Sequence, residues 1–297
     1  MDKQNRIHWK KGMDITHEVF VASDNYHITE RNQLGRFLAS RLYGILPDSH
    51  FYIEHAINNN NIRVQNLECL AISNDGYVIN IQKDTPFCKE LQVQETTDAT
   101  LYVVLTINLY PAMPVDENEL YIYPEYNLIL KRTDEPIEQG IPIGKIYKNG
   151  SSWEVDKNYI PPSIALNAVE ALKHKFFEIK NSINKIVEKI VEKISDESTI
   201  YLQTILLQLE LDNFSNQKTP EELMLLMKKF CWIFQYYLKT SKNIEELPLV
   251  KYFLNQPYNH HEIEKILHSG LESLVDVYQK LDEKPAEVLP EFDEIKI

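Results

Sequence analysis

Apolar positions change their rhythm along this chain. Up to about residue 160 they gather in short runs rich in Val, Ile, Leu and Tyr, cut by prolines and turn dipeptides; beyond it they recur every three or four residues. The first pattern predicts strands and the second predicts helices. LECLAIS from Leu67 and YVINIQ from Tyr77 flank Asn74, Asp75 and Gly76, a turn able to adopt positive φ, so a hairpin is expected there. ATLYVVLTINLY, residues 99–110, reads as a strand stopped by Pro111 and Pro114, and ELYIYPEYNLILKR follows with Pro124 at a break or bulge. IPIGKIYKNGSSWEV carries a second hairpin turn at Asn149 and Gly150. Leu34, Phe37, Leu38, Leu42 and Ile45 are spaced for a short amphipathic helix over 30–46 among the strands.

Pro161 and Pro162 close this region, and Ser163 is suited to cap the helix expected next. From Ala165 the apolar positions Val169, Leu172, Phe176, Ile179, Ile183, Ile186 and Ile190 step by 4, 3, 4, 3, 4, 3 and 4, the 3.5-residue period of a supercoiled seam. Isoleucine at both kinds of seam position, Ile179, Ile183 and Ile186, favours three strands or more. The long helix of an intramolecular bundle shows the same seam without a partner, so both readings stay open. Further helices are expected at about 198–213, 220–241 and 260–281, the second opened by Thr219, Pro220, Glu221 and Glu222 in capping-box order. The fold class expected is α+β: an antiparallel β-sandwich over 1–160, a helical bundle over 161–284, and a proline-containing acidic tail over 285–297.

Composition narrows the functions available. There are 31 basic and 44 acidic side chains, a net charge of −13, which argues against nucleic acid as a partner and against an anionic membrane surface. No stretch approaches the roughly 18 apolar residues of a membrane span, and the charged first residues do not make a secretory signal, so membrane insertion is not expected and a cytoplasmic location is. Cys69, Cys88 and Cys231 are too scattered for a disulfide framework or a zinc site and read as reduced thiols.

Catalytic patterns are sparse. Eight glycines leave no phosphate-cradling loop and there is no nucleophile elbow. Adjacent acids such as Asp116 and Glu117, or Asp134 and Glu135, are what an acidic chain carries in its loops. His261, Glu264 and His268 share one helical face at metal-ligand spacing, but they depart from HExxH order, and Glu262 and Glu264 suit a solvated N-terminal turn. No metal, cofactor or catalytic residue is assigned, and no enzyme activity is expected. The seventeen tyrosines leave open a glycan-binding sheet face, as in a phage-type receptor-binding or tail-fibre module, although cross-strand aromatic packing is their ordinary explanation.

Two segments carry a family resemblance. IHWKKGMDITHEVF contains Trp9, Gly12, Met13, Ile15 and Phe20; the second, residues 140–166, presents Pro142, Ile143, Ile146, Asp156, Tyr159, Ile160, Pro161 and Pro162 in order. Together they resemble the TssK family of type VI secretion baseplate adaptors, the second more specifically. His17 and Val19 depart from the family's Pro and His, which implies a divergent branch. The resemblance implies a homotrimer with a shoulder like those of phage receptor-binding proteins and a helical neck whose Val169–Ile190 seam joins the copies. It also implies Trp9, Gly12, Met13, Ile15 and Phe20 as the interface to TssF/TssG-like wedge proteins, with the membrane complex as a further partner. Tyr159, Ile160, Pro161 and Pro162 would form the domain junction. The family also has a C-terminal head, and this chain stops after what would be the neck. Trp9 and Met13 would otherwise be plugs of the sheet core.

Overall fold

The runs of β-formers pair antiparallel wherever the turn residues allow the chain to reverse. The computed structural model describes residues 7–39, 43–58, 61–85, 87, 90–93, 98–114, 122–194 and 198–282. Two compact units, Met1–Glu170 and Ala171–Ile297, divide the chain.

The first unit begins with helix α1 (His17–Ala39), followed by β1 (Gly44–Ile45), β2 (Tyr52–Asn58), β3 (Asn61–Ile72), β4 (Val78–Ile81), β5 (Glu90–Gln92), β6 (Thr100–Pro114), β7 (Ile122–Arg132), β8 (Ile141–Asn149) and β9 (Ser152–Val155). β3 is the spine of a five-stranded sheet, paired with β1, β2, β4 and β5; the second sheet runs β7-β6-β8-β9. Both expected hairpins form: Ile72 pairs with Val78 across the Gly76 turn, and Asn149 with Ser152 across Gly150.

β3 shows how pattern sets register. Its buried residues are Ile62 and Val64, then Leu67, Cys69 and Ala71, so the inward parity switches midway. The switch coincides with a bulge, where Glu54 pairs with Asn66 but His55 with Val64, leaving Gln65 as the extra residue that returns apolar side chains to the core. Pro124 behaves likewise. The β6–β7 ladder skips from Asn108↔Glu125 to Met113↔Tyr123, so the proline's missing N–H costs no ladder bond there. Tyr102 and Val104 pack with Ile129, Ile137 and Tyr159, and the Tyr126 hydroxyl donates to the Asn80 carbonyl (3.2 Å), linking the two sheets.

The junction differs from expectation. Ile45 N–H donates to the Pro162 carbonyl (2.8 Å), Ile164 N–H to the Ile45 carbonyl (2.9 Å), and Ser163 bridges Ile45 in parallel. Ser163 is therefore no helix cap: it is fully buried and its hydroxyl donates to the Pro161 carbonyl (2.9 Å). The next helix starts at Glu170, and the units divide at Glu170/Ala171 rather than at 160, because this strand-like stitch holds the Ile160–Ile164 segment on β1.

The second unit holds α2 (Glu170–Val191), α3 (Thr199–Asp212), α4 (Pro220–Lys242), α5 (Pro248–Asn255) and α6 (Ile263–Asp282). α5 has no counterpart in the expected helices; at eight residues it is too short for a periodic signal. The capping box of α4 forms as expected, with Glu222 N–H donating to the Thr219 hydroxyl (3.1 Å) and Thr219 N–H to the Glu222 carboxylate (2.8 Å). Phe230, Phe234 and Phe253 are fully buried in its core. Three lysines converge on the end of α6: Lys193 and Lys242 donate to the Leu281 carbonyl, and Lys189 to Asp282 (2.6 Å), which suits a helix C-terminus. The expected tail, 285–297, lies outside the described residues.

Candidate partner interfaces

The N-terminal segment is shaped by one turn and one helix start. Met13 N–H donates to the Lys10 carbonyl (3.1 Å), closing a turn in which Gly12 takes φ +83°. Phe20 N–H donates to the Thr16 carbonyl (3.2 Å), opening α1. The Thr16 hydroxyl holds the Glu18 carboxyl below the ordinary carboxylate range, and an acid in the first turn suits the helix dipole.

The apolar residues of this segment face outward. Trp9 is 51% exposed, Ile15 62% and Phe20 55%, while Met13 is half-buried. Trp9 thus does not plug the sheet core. Val21, Leu34 and Phe37 extend the exposed apolar surface along α1. The helix expected over 30–46 runs instead over 17–39, and Leu34 and Phe37, read as its inward stripe, point outward.

Gly35 explains that reversal. A Cβ at Gly35 would collide with the Gly76 carbonyl, so the helix lies directly on the β3–β4 turn at this one residue. Phe37, two residues on, is turned about 200° away from the contact. The turn itself is held firmly: Asn74 N–H donates to the Gly140 carbonyl (3.1 Å) and its side-chain amide to the Ile137 carbonyl (2.5 Å). α1 is seated at its C-terminal end on a braced turn, and its N-terminal end carries the exposed anchors.

The residues of the Val169–Ile190 seam come together, but on their own chain's interior. Val169, Leu172, Phe176, Ile179, Ile183, Ile186 and Ile190 are between 0% and 7% exposed in the single chain. Contacts from the rest of the second unit flank them: the Phe176 ring stands 6.0 Å from that of Phe214 just after α3, Gln208 of α3 donates to Asn184 (3.0 Å), Lys180 donates to the Leu211 carbonyl (3.3 Å), and Lys189 sits 3.6 Å over the Tyr278 ring of α6. The intramolecular alternative accounts for this seam's burial, since a 3.5-residue stripe needs only facing helices and does not specify whose they are.

At the junction, Ile160, Pro161 and Pro162 are buried, and the Tyr159 ring packs 5.8 Å from that of Tyr102. Cys69 and Cys231 are buried free thiols, pushed up to about 12 by burial; Cys88 lies outside the described residues. Among the described residues no three His, Cys, Asp or Glu side chains stand at metal-binding spacing. His268 faces Glu272 at 3.4 Å, and burial holds His261 below the ordinary imidazole range. Asp116 and Glu117 lie outside the described residues. No helix among them is long and apolar enough to cross a membrane.

The described residues thus combine antiparallel sheets and an outward apolar arm in the first unit with helices that enclose their own seam in the second. The family model "Bacterial Type VI secretion, VC_A0110, EvfL, ImpJ, VasE" matches residues 116–209, across the junction that carries the TssK resemblance. A chain of the type VI secretion TssK–TssF–TssG baseplate subcomplex, solved by cryo-electron microscopy, is similar at 13% identity over 93% of this chain and 99% of that one, with a TM-score of 0.63. The crystal structure of TssK is similar at 12% identity over 94% of this chain and 69% of that one, with a TM-score of 0.61. A chain of the type VI secretion baseplate complex follows at 14% identity, 92% and 98% coverage, and 0.59. No curated protein matches. In fold the chain is similar to TssK.

Proposed function

We propose that this protein is a non-enzymatic structural adaptor of a type VI secretion baseplate, acting in the cytoplasm as a homotrimer. The two sheets form its shoulder, a sandwich of the phage receptor-binding kind, and the helices form its neck. Residues Trp9, Gly12, Met13, Ile15 and Phe20 dock onto TssF/TssG-like wedge proteins, and the membrane complex is a further partner. The family match over 116–209 and the likeness to a chain of a TssK–TssF–TssG subcomplex support the system. The observation that carries the docking role is the outward exposure of Trp9, Ile15 and Phe20 on an arm seated by Gly35. Aromatic and aliphatic anchors of this kind concentrate interface energy.

The glycan-binding module is not favoured. Tyr102 and Tyr126, on the tyrosine-rich strands β6 and β7, are 3% and 4% exposed and unavailable to a sugar. Co-expression with wedge proteins tests the proposal: they co-purify with the native chain, and Trp9→Ala with Phe20→Ala weakens capture by about tenfold or more. Unchanged capture by the double variant would remove the arm from the interface, and binding to a glycan array without wedge capture would overturn the adaptor role.

A further inference from the structure

One inward position of β2 is not apolar. Ile53 pairs with Leu67, His55 with Val64 and Ile57 with Ile62, all three partners buried; Tyr52, Glu54 and Ala56 pair with Glu68, Asn66 and Arg63 on the outward row. An imidazole therefore stands where the period-two pattern calls for an aliphatic side chain. The second sheet makes room for it. A Cβ on Gly144 of β8 would lie 2.9 Å from His55 Nε2 and 3.4 Å from its Cε1, so only a residue without a side chain leaves this slot open. Val103, the ladder partner of Gly144 on β6, is fully buried. Nε2 is buried as well and has no hydrogen-bond partner among the described residues.

The charged groups around the ring are turned away or distant. On the first sheet they lie on the outward row: Glu54 accepts from Asn66 (2.8 Å), Arg63 reaches Glu90 of β5 (3.7 Å), and Glu68 reaches His50 (3.2 Å). On the second sheet Lys145, Tyr147 and Glu154 alternate to the face opposite Gly144. There Lys145 stands over the Tyr102 ring, and Glu154 accepts from Tyr147 (2.8 Å) and Asn149 (2.8 Å). Lys148 returns to the Gly144 face four residues on, about 13 Å along the strand at its exposed end. Arg132 of β7, opposite Leu101, is held by Asp134 (2.9 Å). Burial alone acts on His55, and it holds the imidazole below its ordinary range.

We propose that His55 is an acid-sensitive latch between the two sheets: the neutral ring closes the slot over Gly144, and its protonation releases β2 from β8. An imidazolium carries a proton on both ring nitrogens, so its Nε2–H and its charge would be enclosed without an acceptor, whereas opening lets both reach water. The enclosed ring binds its proton less readily than an exposed one. The latch is therefore at full strength above the ordinary imidazole value of about 6.5 and weakens as pH falls below it. One proton taken up on opening lowers the closed-to-open ratio by up to about tenfold per pH unit.

Backbone hydrogen exchange of the full chain between pH 7.5 and 5.5, read by mass spectrometry and corrected for the intrinsic rate, provides the test. Carboxylates stay ionised across this range. Peptides of β2 and β8 are expected to lose protection by about threefold to tenfold in the native chain, and to keep it in His55→Gln, whose amide is polar but does not titrate. A native chain whose protection there is independent of pH, or a His55→Gln chain that keeps the dependence, overturns the latch. Should His55→Gln fail to fold, deuterium exchange at the Cε1–H of His55 in the native chain decides: a midpoint below the ordinary imidazole value supports the latch, and one at or above it rejects the latch.

Discussion

Ile183→Ala separates what the second unit needs for folding from what it offers to a neighbour. Ile183 is fully buried at the middle of the α2 seam, and Ile179, Ile186 and Ile190 around it are 0–1% exposed. Removing buried aliphatic carbons costs about 2–5 kcal/mol, more where the walls cannot relax. These neighbours are themselves enclosed, so the upper part of that range, about 3–4 kcal/mol, is expected. That loss is a large share of the 5–15 kcal/mol that domains ordinarily possess, and at a urea dependence of about 1–3 kcal/mol per molar the midpoint falls by about 1–4 M. Urea titration followed by far-ultraviolet circular dichroism measures the fall; light scattering in buffer measures the mass. The midpoint drops and the mass stays at the native value, because the side chain touches its own chain. Loss of mass with an unchanged midpoint would refute this reasoning and return the seam to an interface between copies.

Other outcomes follow from single contacts. Gly35→Val drives a side chain into the Gly76 carbonyl and unseats α1, so limited proteolysis within residues 17–39 accelerates while the urea midpoint of the helical unit is unchanged. Cys69 and Cys231, with thiols pushed up to about 12, resist iodoacetamide at neutral pH in the folded protein and react once urea unfolds it, as peptide mapping reads directly. Thr219→Ala removes the capping box of α4 and costs about 1 kcal/mol in the same titration. Lys189 holds the Asp282 carboxyl below its ordinary range, so this contribution is present above the unfolded carboxylate value and is lost as pH falls through the folded one; amide exchange at the end of α6 speeds up in acid, and Asp282→Asn flattens that dependence.

Local chemistry was the most legible part of this chain. Both hairpins, the bulge at Pro124 and the Thr219 capping box depend on a few adjacent residues whose preferences nothing distant overrides. The start of α2 was misplaced because a serine after two prolines looks like a cap, while a long-range parallel bridge to Ile45 holds Ser163 in a strand-like segment. α1 was shifted because Leu34 and Phe37 match a helical period whichever side of the helix is covered; only the contact of Gly35 with Gly76 decides the side, and that contact joins residues forty positions apart. The outward direction of Trp9 was legible only as one of two alternatives. Counting apolar positions shows that α3 is a helix and does not show that its own chain leaves Leu202, Leu206 and Leu209 uncovered.

α2 and α3, both rich in leucine and isoleucine, thus have opposite fates for one physical reason. α2 has a narrow apolar row with Lys and Glu on its other faces, so a single layer of neighbours satisfies it, and the bundle of its own chain supplies that layer. α3 has no charged side chain from Thr199 to Leu209; its two acids, Glu210 and Asp212, come only in its last turn, and Thr204 is buried. The helices described in the second unit bury Thr204 and Leu211 and leave Leu202, Leu206 and Leu209 more than half exposed. A strict seam is therefore weak evidence for a partner chain, whereas a helix without a polar face, left half bare by its own fold, is strong evidence that something further covers it.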